Sequence, residues 1–264
     1  CALAAEAVWT RLLALLLGPT VYTFSLVLAV FLIGLGLGSA VGAALPRRSA
    51  GGRAVRERDA SPGGRTASTG TARTAFGICQ FLSMAAIAWA AYVISRILPY
   101  QPVPASPNIW ASFWLDLGRT ALAVLPAALL WGASFPLALA AVAGTRSDIS
   151  RAVGSLYAAN TAGAIVGALG MTMLVVPMAG SERAQQLMIA VSAIAALLAL
   201  VPGLRGRAWP AGAFRSAVVV GVAIACAAAM PPVSGLLVAY GRYAGNWAAH
   251  AGDVIYVGEG LNAD

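Results

Sequence analysis

Few residues of this chain could do chemistry, and most of those lie inside apolar segments. Glu6 sits in CALAAEAVWTRLLALLL, with Arg11 five positions on. On a helix five positions is about 140° around the axis, so the two do not form the i,i+4 pair that would satisfy both charges. Glu6 then needs a partner on another helix, a water-filled cavity or a proton. Two readings stay open, a proton or cation site and a structural polar anchor. Asn160 and Thr161, in YAANTAGAIVGALG, pose the same choice. They either touch a ligand or make an interhelical hydrogen bond worth about 1 kcal/mol. Asp116 and Arg119, three apart, read as a local ion pair at the membrane interface, and Glu182 with Arg183 reads the same way. Such pairs contribute little.

The remaining signals exclude more than they suggest. GLGLGS at Gly34–Ser39 imitates a dinucleotide fingerprint, but it lies inside a membrane-length apolar run and not in a turn between strand and helix. His250 is the only histidine. The cysteines, Cys1, Cys79 and Cys226, lie in or beside apolar runs without metal-ligand spacing, as small buried hydrophobes do. No Ser/His/Asp, Cys/His or metal set can be assembled, so neither a catalytic group nor a cofactor site is expected in this fragment.

The elements that must position these residues are set by composition. The chain is 60% apolar and only 10% charged, with a mean hydropathy of +0.81. A soluble domain carries about 25% charged residues, so lipid must be the solvent here. Apolar runs cover Cys1–Leu17, Val21–Leu45, Thr74–Leu98, Ala111–Ala143, Gly154–Val176, Ala184–Val201 and Ala211–Met230. Each reads as a helix, because an open strand edge cannot survive in hydrocarbon. The fold class is all-α, a polytopic transmembrane bundle of about seven spans over residues 1–230. The second run holds no charge until Arg47 and Arg48, which stop it. Its Gly34, Gly38 and Gly42 recur every four residues and line one face. Lipid gives no hydrophobic drive between helices, so close approach over small residues must supply the attraction. Ala159, Gly163 and Gly167 make a second face of this kind. Pro126 and Pro136 are expected to kink the fourth run.

The connections set the orientation. Pro46–Arg73 is rich in Gly, Ser, Thr and Arg, a composition that predicts disorder, and 99–110 is proline-rich and extended. Loops 46–73, 144–153 and 202–215 hold twelve of the 17 basic residues, all arginine, which places them on the cytoplasmic side. The net charge of +8 therefore orients a membrane protein and does not point to nucleic acid. Pro231–Asp264 reads as a linker and the first strand of a truncated domain, with DVIYVGEGLNAD a short strand followed by a turn. The chain opens directly on CALAAEAVW and reads as a fragment whose start lies upstream.

Three stretches together resemble a family. They are residues 1–43 (CALAAEAVWTRLLALLLGPTVYTFSLVLAVFLIGLGLGSAVGA), GASFPLALAAVA with RAVGSLYAANTAGAIVGALG, and DVIYVGEGLNAD. They are similar to bacterial fused membrane–spermidine synthase proteins, in which a polytopic region precedes an aminopropyltransferase-like domain. The resemblance implies the bacterial cytoplasmic membrane, residues 231–264 as the entry to the missing synthase-like domain, and partners limited to the bilayer, that domain and a small cationic solute of polyamine type. The family's catalytic acids would lie after Asp264, so none can be carried over. The same region also looks distantly like one half of a major facilitator transporter. The acidic residue expected there before the basic loop is replaced by Leu45-Pro46.

Overall fold

The computed structural model describes residues 1–54, 63–101, 108–143, 149–201, 209–250 and 252–259. It is helical, and no strand occurs among the described residues. The helices are α1 (Ala2–Leu17), α2 (Val21–Ala54), α3 (Gly63–Tyr92), α4 (Ile109–Ala143), α5 (Ile149–Gly170), α6 (Val176–Leu200), α7 (Trp209–Ala228), α8 (Gly235–Tyr240) and α9 (Ala244–Trp247). Five stretches are long and apolar enough to cross a membrane: Val21–Leu45, Gly70–Tyr100, Ile109–Val142, Ile149–Leu200 and Ala211–Ala228. The outward faces fit that solvent. Leu32, Ile33 and Leu37 of α2, Ile165, Val166 and Leu169 of α5, and Phe214 and Ile224 of α7 are all exposed.

Several boundaries differ from the sequence reading. Arg47 and Arg48 do not stop α2, which runs on to Ala54, and α3 already starts at Gly63. The arginine-rich connection is thus helical at both ends despite its glycines, because an existing helix extends at little cost. Its centre, 55–62, lies outside the described residues, as do residues 102–107 of the 99–110 segment. α4 continues as one helix through Pro126 and Pro136. Each proline removes one backbone hydrogen bond without ending the helix. The fifth run ends in a π-helical turn, Met171–Val175, and α6 is broken at Gly180, where φ is 81°. Only glycine takes up that conformation without strain. Beyond α7 the chain forms the short α8 and α9, and residues 252–259 are neither helix nor paired strand.

The turn between α1 and α2 is set by Gly18, at φ 98°. Thr20 caps α2 by accepting a hydrogen bond from the Thr23 backbone N–H at 3.4 Å, and the Thr23 hydroxyl donates to the Gly18 carbonyl at 2.7 Å. α1 is the inner helix. It buries Ala5, Val8, Trp9, Leu12, Leu13 and Leu16 on one broad face and touches α2, α4, α5 and α6. α4 packs between α2 and α3, α3 packs in turn on α6, and α7 lies against α6 and α3. The tail returns to the Gly18 end of the bundle. Gly241, at φ 52°, sits so close to α1 that a Cβ there would stand 2.8 Å from the Leu15 carbonyl oxygen.

The tightest joint is α2 on α4. A Cβ added at Gly34 would lie 2.5 Å from Ala128 Cβ, and one at Gly42 would lie 2.5 Å from the Ala133 carbonyl oxygen. At Gly38 it would overlap the Leu129 carbonyl, and at Gly132 of α4 the Leu35 carbonyl. Ser39 adds a hydrogen bond across the joint, donating to the Gly132 carbonyl at 3.0 Å. The second small-residue face is different. A Cβ at Gly167 would lie 3.5 Å from the Ala4 Cβ, an ordinary contact, but nothing lies within 4 Å of a Cβ at Gly163, and Ala159 is exposed. That face makes no tight helix joint at Ala159 or Gly163, because α5 stands off there and leaves cavities. A matched pair of substitutions tests the first joint. Gly38→Ala should destabilise the detergent-solubilised protein by about 1–3 kcal/mol through overpacking. Gly36→Ala, where nothing lies within 4 Å of the new Cβ, should be neutral or slightly stabilising. Equal thermal stability of the two variants would show that the α2–α4 contact is looser than described.

Candidate functional site

A cavity of about 360 Å³ lies between α3, α4 and α5, next to the start of α1. Gln80 from α3, Ser134 from α4 and Asn160 from α5 bring polar groups to it, and Phe76, Trp131 and Phe135 supply aromatic walls. The helix spacing explains the convergence. Trp131, Ser134 and Phe135 are three and four apart on α4, so they share one face. Ser134 donates to the Trp131 carbonyl at 2.8 Å and so points along its own helix. Trp131 is only 6% exposed, and its indole N–H has no hydrogen-bond partner among the described residues. A buried N–H left unpaired costs about 1–3 kcal/mol.

Of the residues singled out from the sequence, Asn160 reaches this cavity. Thr161 is exposed and is not among its lining residues. Glu6 does not line it either. It is half-buried on α1 and makes no hydrogen bond or ion pair among the described residues. Arg11, also on α1, lies toward the Gly18 end and does not line it. Gly163 and Gly167 line a separate apolar cavity of about 350 Å³ beside Met171 and Met188.

Trp131 also closes the cavity from the bundle centre. Its ring stacks on Trp9 of α1 at 5.5 Å and 27°, and Phe31 of α2 tilts onto it at 6.1 Å. From Trp9 a chain of buried polar groups leads to the Gly18 end. The Trp9 indole donates to Gln185 Oε1 at 3.0 Å, and Gln185 Nε2 donates to the Ser181 carbonyl at 3.2 Å. The Ser181 backbone N–H donates to both carboxylate oxygens of Glu259, at 2.9 and 3.0 Å, and its hydroxyl donates to Glu259 Oε2. Glu259 therefore caps the helical segment that restarts after Gly180, from 78 positions away. A carboxylate suits a helix start, where N–H groups are unpaired and the dipole is positive.

The two pairs read as surface ion pairs have other environments. Glu182 accepts from Gln186 Nε2 at 3.1 Å, and Arg183 donates to Gln186 Oε1 at 2.9 Å, so both bind Gln186 and not each other. Asp116 and Arg119 are 1% and 5% exposed, hence buried, and their closest approach is a loose 3.9 Å. Sequence reasoning missed Gln80, Gln185, Ser181 and Glu259. For the first three, two signals were present, the polar residues inside apolar runs and the Gly180-Ser181 break before the sixth.

No family model, curated protein or solved structure matches the chain. The cap is the feature of this region most open to test. Glu259→Ala should lower stability by about 0.5–2 kcal/mol, the usual worth of a helix cap. Glu182→Gln, which keeps an acceptor for Gln186, should change little. If the two variants unfold at the same temperature, the tail does not hold α6.

Proposed function

We propose that this chain is the membrane-embedded region of a spermidine synthase-like fusion protein, that it anchors the following domain, and that it passes a small solute through its helix bundle. The observation that supports solute passage is the cavity lined by Gln80, Ser134 and Asn160 among aromatic walls. A pure anchor needs no polar cavity among apolar helices, and burying unpaired polar groups without a use is costly. The solute that the sequence resemblance implies is a polyamine-type cation. Among the described residues no carboxylate lines the cavity, so its holding groups would be neutral amide and hydroxyl oxygens and its aromatic walls. A major facilitator-like transporter half without an enzymatic partner is the second reading, and it makes the same use of the cavity.

In this reading the bundle has seven spans in a bacterial cytoplasmic membrane. The Gly180 break divides Ile149–Leu200 into two crossings, and α1 runs beside α2 as a further one. The arginine-rich loops face the cytoplasm and the Gly18 end faces out, so the tail 231–264 lies on the outer side. Uptake of radiolabelled spermidine into proteoliposomes holding the purified chain tests the proposal. Uptake above empty liposomes is expected, reduced about tenfold or more in Asn160→Leu and largely retained in Glu6→Gln. Absence of uptake by the intact chain leaves anchoring as its role. Loss of uptake in Glu6→Gln with Asn160→Leu fully active would move the pathway away from this cavity.

A further inference from the structure

A second cavity, of about 350 Å³, lies at the Gly18 end, between the start of α4, the start of α2 and the tail. It is distant from the first, since Asp116 and Ser134 are 18 residues apart on α4, about 27 Å along its axis. Asp116 lines it, 1% exposed, and its Oδ1 accepts no hydrogen bond among the described residues. The groups around the carboxylate are loosely placed. Tyr22 Oη and Arg242 Nη2 each approach Oδ2 at 3.5 Å, and Arg119 Nη1 stands 3.9 Å from Oδ1. Charge-assisted bonds of this kind are about 2.7–2.9 Å when well made, so a buried carboxylate here is held short of its full set of donors. Arg119 is turned toward Gln101, donating to Oε1 at 3.2 Å. Arg242 stands on the tail, lines the same cavity and is 32% exposed. Trp110 and Phe113, edge to face at 6.4 Å, form the apolar wall.

We propose that this cavity binds the zwitterionic head group of a free amino acid with an apolar side chain. The ammonium takes the unfilled acceptor capacity of Asp116 with up to three short N–H···O bonds. Arg242 turns from Asp116 to the solute's carboxylate, which it can clamp through two parallel bonds. The side chain lies against Trp110 and Phe113. The positions of the unfilled Asp116 oxygen and of Arg242, on either side of the cavity's polar end, select this class over its neighbours. A simple amine would add a third positive charge around one carboxylate, beside Arg119 and Arg242. A simple carboxylate would press a second negative charge against Asp116 and leave its Oδ1 unpaired. Only a solute carrying both charges answers both faces of the site. The proposal does not depend on whether the bundle transports anything.

Calorimetric titration of the full chain in lipid nanodiscs tests it with L-phenylalanine, phenethylamine and 3-phenylpropionate. Phenylalanine should bind, and each analogue should bind at least about tenfold more weakly, since a site built to pair a polar group rejects the analogue lacking it. Arg242→Gln should erase the preference for phenylalanine over phenethylamine. Asp116→Asn should erase the preference over 3-phenylpropionate. These are ratios within one variant, so a general loss of stability cannot imitate them. If Asp116→Asn does not fold, Arg242→Gln on the tail decides alone. Phenethylamine binding as tightly as phenylalanine, an unchanged preference in Arg242→Gln, or no heat with phenylalanine would each overturn the proposal.

Discussion

The bundle depends on how closely two backbones can approach in a solvent that gives them no reason to. Lipid chains are as apolar as leucine, so burying leucine between helices gains little, and packing contacts must carry the association. α2 and α4 solve this with glycine on both partners. Gly34, Gly38 and Gly42 lie on the carbonyls and Cβ atoms of Ala128, Leu129 and Ala133, while Gly132 lies on Leu35. At that distance dispersion contacts are dense and a serine hydroxyl can cross from one helix to the other. α3 and α6 then pack outward from α4 in sequence, and α1 fills the inside of the arc.

The second constraint is the accounting of polar groups where water is scarce. Most are paired locally, as with Thr120 and Ser83, each of which donates to the carbonyl four residues before it. A few are paired across the bundle, and these form a line from Trp9 through Gln185 and Ser181 to Glu259. Fewer still are left short, notably the Trp131 N–H and Asp116 Oδ1. The two shortfalls sit at separate cavities, one toward each end of α4, with the Trp9–Trp131 stack closing one of them off from the centre. That arrangement has a cavity at either end and a packed aromatic layer between.

Much of this fold was legible because membrane helices announce themselves by length and composition. The all-helical class, the Gly18-Pro19 turn and the positions of most helices follow from apolar runs that no strand could satisfy in lipid. Ends were less legible. Arg47 and Arg48 look like a stop because charge leaves the bilayer there, but leaving lipid does not end a helix, and α2 continues to Ala54. The site was legible only in part. Asn160 stood out as an amide in an apolar run, and so did Glu6, yet only Asn160 reaches the cavity. Which side of a helix faces a cavity depends on its neighbours, which periodicity cannot supply when every face is apolar. Glu259 was unreadable for a related reason, since its partner Ser181 lies 78 positions away.

Accessibility of two engineered cysteines tests most directly the claim of two cavities facing opposite sides of one closed bundle. With Cys1, Cys79 and Cys226 replaced by serine or alanine, Ser112→Cys places a thiol in the cavity at the Gly18 end, and Ser134→Cys places one in the cavity of Asn160. A membrane-impermeant maleimide applied to intact cells should label Ser112→Cys and spare Ser134→Cys. Inside-out vesicles should give the reverse. Labelling of both thiols from the same side would contradict the account, because both cavities would then open to one compartment.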